Sequence, residues 1–261
     1  MTVVGSSSSV PRPNRACSSY LIQDGEISIV LDLGTGSFSN LRRYVDYDGL
    51  DAVVISHMHA DHFIDLIPLR YALRYGPLRR TSKLPLYLPP DGERMLSHLV
   101  GAFADEGGGD FLADVFDIKT YDPRRALRFG EGSLRFAHTA HYIPAFAIRY
   151  ERGGQSVTYS SDTAPDPRVV EIARGTNIFI CEATLRAGDV ERGVRGHSTA
   201  LEAAQMAHEA RVGSLVLSHY PDLSTSRDLD DSARAVFSGT ILVADDHQVL
   251  EVAQSNAVGR R

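Results

Sequence analysis

The stretch Ala52–Phe63, AVVISHMHADHF, decides how this chain reads. Ala52–Ser56 is a short apolar run with the pattern of a buried strand. His57-Met58-His59-Ala60-Asp61-His62 follows at once and holds three of the chain's ten histidines. A helix is expected over Phe63–Tyr75, where Ile64, Ile67 and Tyr71 fall at helical spacing. A loop at a strand end fixes side-chain directions, which metal ligation requires. Imidazoles with a carboxylate form a nitrogen–oxygen donor set suited to zinc. The spacing lets His57 and His59 converge on one ion and lets Asp61 and His62 serve a second.

Outward from this segment, short β-rich runs alternate with amphipathic stretches. Tyr20–Gln23 and Ile27–Asp32 read as a hairpin around Asp24-Gly25. Further strands are expected at Leu84–Leu88, Val115–Tyr121, Leu134–Ala137, Phe146–Tyr150, Val157–Ser160, Asn177–Cys181, Leu215–Ser218, Ile241–Val243 and Val249–Val252. Helices are expected at Asp91–Ala104, Pro167–Ala173 and Ser198–Ala210, the last capped by Ser198 or Thr199. Gly107-Gly108-Gly109 reads as a loop. This order predicts two sheets with helices outside them. Three more metal-type side chains stand at or just after strand ends: His141, Asp162 and His219. One sheet edge can gather them with the histidine-rich segment.

Composition bounds the alternatives. The chain has 261 residues, 43% hydrophobic and 23% charged, and a net charge of −6. It is expected to form one domain spanning 1–261 with a full core, without disulfide staples. No run reaches the length of a membrane span. Cys17 and Cys181 form no C-x-x-C pair, which argues against a cysteine zinc site and fits a reducing, cytoplasmic setting. The acidic balance argues against a dedicated nucleic-acid binder. All 27 basic residues are arginine apart from Lys83 and Lys119. Two basic clusters stand out, Arg70–Lys83 and Arg124–Arg128.

HMHADH, then His141, Asp162 and His219, resembles the metallo-β-lactamase superfamily over essentially the whole chain. The resemblance implies an α/β fold, a four-layer αβ/βα sandwich with a two-metal site. It implies that His57, His59 and His141 bind one zinc, that Asp61, His62 and His219 bind a second, and that Asp162 bridges them. Manganese or iron also suits the carboxylate-richer second position. His138 competes with His141; the following HYIPAFAIR favours His141. Cys181-Glu182-Ala183-Thr184, Gly196-His197-Ser198-Thr199 and the opening GSSSSVPRPNRACSSYLI with Asp32–Gly36 resemble the ribonuclease Z branch and related phosphodiesterases.

That branch implies attack on a phosphodiester by metal-activated hydroxide. Asp61 orients the nucleophile or takes its proton. Glu182 keeps His197 protonated, so that His197 supplies the leaving-group proton. Gly34, Thr35 and Gly36 offer backbone amides to a phosphate. The sequence departs from ribonuclease Z in three ways. Cys181 replaces a histidine, Ser161 replaces a glycine before Asp162, and residues 142–161 leave no room for the arm that grips tRNA. A small nucleotide, a cyclic one above all, therefore becomes the expected substrate, as the resemblance to arm-less bacterial cyclic-nucleotide phosphodiesterases implies. The alternatives are a ribonuclease Z-type tRNA 3′-processing endonuclease, with nucleic acid as partner, and an ester, thioester or lactone hydrolase. A homodimer joined through Phe63–Tyr75 is expected, with no membrane partner.

Overall fold

The computed structural model describes residues 1–104 and 108–252. Among these, two mixed sheets face each other. The first holds β1 (Thr2–Gly5), β2 (Ser19–Asp24), β3 (Ile27–Leu31), β4 (Ala52–Val54), β5 (Leu84–Leu88) and β6 (Phe116–Thr120), in that order. The second holds β7 (Leu127–Phe129), β8 (Gly132–His138), β9 (Phe146–Arg152), β10 (Gln155–Tyr159), β11 (Ile178–Glu182), β12 (Ser214–Ser218) and β13 (Thr240–Val243). Its strands are likewise ordered along the chain, from β7 at one edge to β13 at the other. The strands from β3 to β6 run parallel, as do those from β10 to β13.

Helices cover the outer faces. α1 (Ser37–Leu41), α2 (Ala60–Phe63), α3 (Leu66–Tyr75), α4 (Gly92–Val100) and α5 (Gly108–Ala113) belong to the first half of the chain. α6 (Pro167–Ala173), α7 (Ala200–Ala210) and α8 (Ser226–Arg234) belong to the second. Strand alternation explains the layering. On β2 and β3, Leu21 and Val30 turn toward Phe38, Leu66 and Leu69 in the helical layer. Tyr20, Ile22, Ile29 and Leu31 turn the other way, onto Phe146, Ile148, Tyr159 and Ile180 of the second sheet. That sheet's outer residues Phe179, Leu215 and Leu217 pack with Val169, Ala203 and Ala207 of α6 and α7. The result is the αβ/βα sandwich.

Several boundaries differ from expectation. The helix expected over Phe63–Tyr75 is two helices. His62 O accepts from Leu33 N, and Asp65 N donates to Leu33 O, so this backbone is stitched to the end of β3. Pro68 has no N–H to continue a helix from Ile64. The helix expected over Asp91–Ala104 ends at Val100. Val249–Val252 makes a single bridge, Thr2 to Val249, with Leu250 and Met1 exchanging two bonds, rather than a strand. Of the expected glycine loop, Gly108 and Gly109 open α5, and Gly107 lies outside the described residues. The sequence reading missed β1, β7, α1 and α8.

Gly34 shows how tightly the ligand loop is seated. A Cβ there would stand 2.0 Å from the Asp61 carbonyl oxygen and 2.8 Å from Cys17 Cβ. Its amide donates to Ser18 O at 3.1 Å, so it is not available to cradle a phosphate. Gly34→Ala must move the backbone of Asp61, and overpacking of this kind costs about 1–3 kcal/mol. We expect a lowered Tm together with weakened metal retention. At Gly49→Ala the nearest atom is 3.8 Å away, and the melt should stay near that of the parent protein.

Candidate metal centre

Parallel strands put their C-terminal ends on one side, and the side chains expected to bind metal collect there. His57, His59, His141 and Asp162 each offer a donor atom within 4.8 Å of the others. Asp61, His62 and His219 do the same. Asp162 lies between the two sets. Its Oδ2 is 3.7 Å from His57 Nε2 and 3.8 Å from His141 Nε2. Its Oδ1 is 3.3 Å from His62 Nε2 and 3.5 Å from His219 Nε2. Asp61 Oδ2 lies 3.3 Å from His219 Nε2 and 3.6 Å from His62 Nε2. His138 is exposed and packs its ring on Phe146, and it is His141 that stands with the candidate donors.

The residues fit a metal group. His62 Nε2 and Asp162 Oδ1 are buried and have no hydrogen-bond partner, although they lie 3.3 Å apart. Unpaired buried polar atoms are costly, and a cation between them would satisfy both. Burial holds His57, His59 and His141 below the ordinary imidazole pKa, which leaves them neutral, the form that ligates. Asp61 is ionised. Burial works against its charge, but the His219 hydrogen bond and nearby His62 bring it down to about 2.

Four of the five clustered imidazoles are oriented from behind, which fixes the nitrogen that faces the centre. His62 Nδ1 meets Asp32 Oδ2 at 2.8 Å. His141 Nδ1 donates to Gly196 O at 2.9 Å. His219 Nδ1 donates to Thr184 Oγ1 at 2.8 Å. His57 Nδ1 lies 3.1 Å from Ser56 Oγ and 3.2 Å from Ser161 Oγ. Ser161 therefore supplies a contact that a glycine there would lack. It adopts φ 54°, in the left-handed region that glycine occupies more readily.

The Glu182–His197 pair stands beside this cluster. Glu182 Oε1 accepts from His197 Nδ1 at 2.9 Å and from Thr163 N at 2.7 Å; its Oε2 accepts from Thr184 N at 3.1 Å. Burial opposes a charge on His197, yet the Glu182 carboxylate outweighs it and raises the pKa to about 9. His197 can also be grouped with Asp162 and His219 as metal donors. Its Nδ1, however, is committed to Glu182, and its protonation suits proton donation. Ser198 Oγ donates to Thr163 O, and Thr199 caps α7 in a capping box with Glu202. Cys181 packs with the α6–α7 side of the second sheet, so its thiol faces away from the centre.

Sequence reading missed Asp32 as an orienting group. Its fully buried carboxylate accepts from Ser56 N at 2.6 Å, Ser56 Oγ at 2.7 Å and Tyr159 OH at 2.9 Å, besides contacting His62. A lone carboxylate closing the apolar run ISIVLD was the available signal. Asp245-Asp246-His247 is no metal site, because Asp246 already accepts from Ser6, Ala16 and Asn40.

The layered fold and the histidine–aspartate cluster define a metallo-hydrolase of the metallo-β-lactamase fold, in its ribonuclease Z-like branch. Within it, the chain belongs to the family described as "Anti-Pycsar protein Apyc1", whose model matches residues 1–239. "Probable metallo-hydrolase YhfI" of Bacillus subtilis is 31% identical over 255 residues, 96% of this chain and 99% of its own. The crystal structure of YhfI matches with a TM-score of 0.84 at 29% identity, over 96% of this chain and 98% of that one. Ribonuclease Z of Haloferax volcanii is 26% identical over 308 residues, 99% of this chain and 96% of its own. The short form of human tRNase Z shares the fold, with a TM-score of 0.74 at 19% identity, over 97% of this chain and 98% of that one.

Asp32→Asn tests the orienting role. An amide presents a donor where His62 and Tyr159 need acceptors, so metal affinity should fall by about 10–100-fold, the usual effect of losing such a contact. Competition against a chromogenic chelator measures it; unchanged affinity would refute the role.

Proposed function

We propose that this chain is a two-zinc phosphodiesterase that cleaves a small cyclic nucleotide. The observation that carries the reading is His197, its Nδ1 2.9 Å from the carboxylate of buried Glu182, beside the donor cluster. His57, His59, His141 and Asp162 Oδ2 would hold one ion; Asp61, His62, His219 and Asp162 Oδ1 would hold the other. Bound there, divalent cations neutralise phosphoryl oxygens and lower the pKa of water. Asp61 orients the attacking water and is placed to take its proton. His197 donates the proton that the departing alkoxide requires, from Nε2, because Nδ1 is tied to Glu182. Glu182 acts through His197 and is a positioning residue.

The small-substrate reading has support in the layout. Between His141 and Asp162 the chain forms only β9, β10 and their short connections. The basic clusters are largely engaged within the protein. Arg70 donates to Phe111 O and Asp114, Arg80 to Asp48 O and Leu50 O, and Arg124 to Asp122. On the loop after β11, Arg186 pairs with Asp189 and Arg195 with Glu202. Similarity to ribonuclease Z keeps tRNA 3′-processing as the second reading; an ester, thioester or lactone hydrolase on the same centre is the third. No helix among the described residues is long and apolar enough to cross a membrane. The same reading includes one domain, a cytoplasmic setting and a homodimer.

The test is a parallel assay of zinc-loaded protein on cyclic nucleotides and on pre-tRNA with a 3′ trailer, with Asp162→Ala as the blank. Turnover of the cyclic nucleotides alone is expected; trailer cleavage alone would overturn the reading. A second measurement isolates the proton donor. His197→Ala should lose about 100-fold or more on an alkoxide-leaving diester, the scale of general acid catalysis. It should lose far less on bis(p-nitrophenyl) phosphate, whose leaving group needs no proton. Equal losses on both would remove His197 from that role.

A further inference from the structure

Tyr142 is an aromatic side chain that stands at the metal centre and remains 47% exposed. Its ring centroid lies 4.7 Å from that of His141, 5.5 Å from His197 and 6.4 Å from His59. The ring is not free to swing. Its hydroxyl donates to Glu191, and the other Glu191 oxygen accepts from Gly196 N at 3.1 Å and His197 N at 3.3 Å. The ring lies across Gly196 so closely that a Cβ there would meet its Cζ at 2.6 Å and Cε1 at 2.7 Å. Gly196 is thus the residue that allows the ring to sit there. The loop carrying Glu191 also exposes Val190, at 87%, and Val194, at 69%. A half-exposed ring, braced at its hydroxyl and backed by a glycine, forms a fixed flat surface at the edge of the donor cluster. Fixing it in advance removes an ordering cost that a ligand would otherwise meet.

We infer that Tyr142 is the stacking platform for the heterocyclic base of a nucleotide whose phosphate sits at the metal centre. This rests on the phosphodiesterase reading above and adds the determinant of substrate class. A tyrosine face stacks any base and provides no hydrogen-bond readout of its identity. The site therefore selects for a base without choosing strongly among bases, and it discriminates against diesters that lack one.

The experiment compares a 3′,5′-cyclic nucleotide with base-free ribose 3′,5′-cyclic phosphate, using zinc-loaded wild type, Tyr142→Leu and Tyr142→Phe. In Tyr142→Leu, kcat/KM for the nucleotide should fall about tenfold more than for the base-free diester, on the scale of one base–aromatic stack. The loss should fall mainly in KM. Tyr142→Phe keeps the ring and should keep the preference for the nucleotide. Binding supplies the second readout. A nucleoside monophosphate should show hypochromism near 260 nm with wild type and Tyr142→Phe, and none with Tyr142→Leu. Equal losses on both substrates, or no hypochromism with wild type, would reduce Tyr142 to a brace for the Glu191 loop and overturn the inference. If wild type cleaves neither diester, the phosphodiesterase reading fails by itself. Nucleoside monophosphate binding compared with ribose 5-phosphate binding then still decides the platform.

Discussion

A single buried carboxylate ties the architecture to the chemistry. Asp32 directly follows β3 of the first sheet, takes the amide and hydroxyl of Ser56 beyond β4, and receives Tyr159 OH from β10 in the second sheet. A charge at zero exposure is tolerable only when its oxygens are filled, and here four contacts from three chain segments fill them. The fourth contact is His62 Nδ1. The group that holds the two sheets in register at this end is therefore also the group that aims a donor. Removing it would leave several buried donors unpaired at once, a larger penalty than the loss of one hydrogen bond.

The same economy recurs around the centre. Ser161 Oγ donates to Ser56 Oγ, which donates to Asp32, so a hydroxyl relay runs behind His57. Asp32, Ser161 and His219 all adopt left-handed φ angles, 56°, 54° and 50°, at strand ends. Such conformations cost of the order of 1–3 kcal/mol each and persist where surrounding contacts hold them. At each of the three positions the chain turns sharply out of its strand, and the side chain is held by the hydrogen bonds already described. The backbone strain, the buried carboxylates and the two orphaned atoms, His62 Nε2 and Asp162 Oδ1, lie together. Among the described residues, three of the seven left-handed non-glycine residues and two of the six unpartnered buried side-chain atoms thus fall where cations would offset them.

Legibility in the sequence followed distance along the chain. HMHADH could be read directly because its four donors are local and follow an apolar strand. His141, Asp162 and His219 were legible as strand-end side chains, and their division between two ions came from family resemblance. What escaped depends on contacts between distant segments. Asp32 acquires its role from Tyr159 and His62, far along the chain. Ser161 looked like a departure from pattern, and only its contact with His57 shows what the hydroxyl does. The break between α2 and α3 arises from Leu33, whose bonds to His62 and Asp65 no helical period within the segment encodes. Tyr142 carries no signal of its own in the sequence beside His141, since exposure and bracing are properties of the folded loop.

The loop from Leu185 to His197 links two functions that are usually discussed separately. Chemistry is anchored in strand ends, which are rigid, whereas recognition is commonly carried by loops. Here Glu191 grips Tyr142 with one oxygen and the amides of Gly196 and His197 with the other. His197 in turn is gripped by Glu182 from β11. The Tyr142 ring and His197 therefore share one carboxylate, so a displacement of either is transmitted through Glu191 to the other. Among the candidate donors, His57, His62 and His219 are held from behind by groups outside this loop, whereas His141 leans on Gly196 within it. A change in the Leu185–His197 loop therefore bears at once on the Tyr142 ring, on the orientation of His141 and on His197.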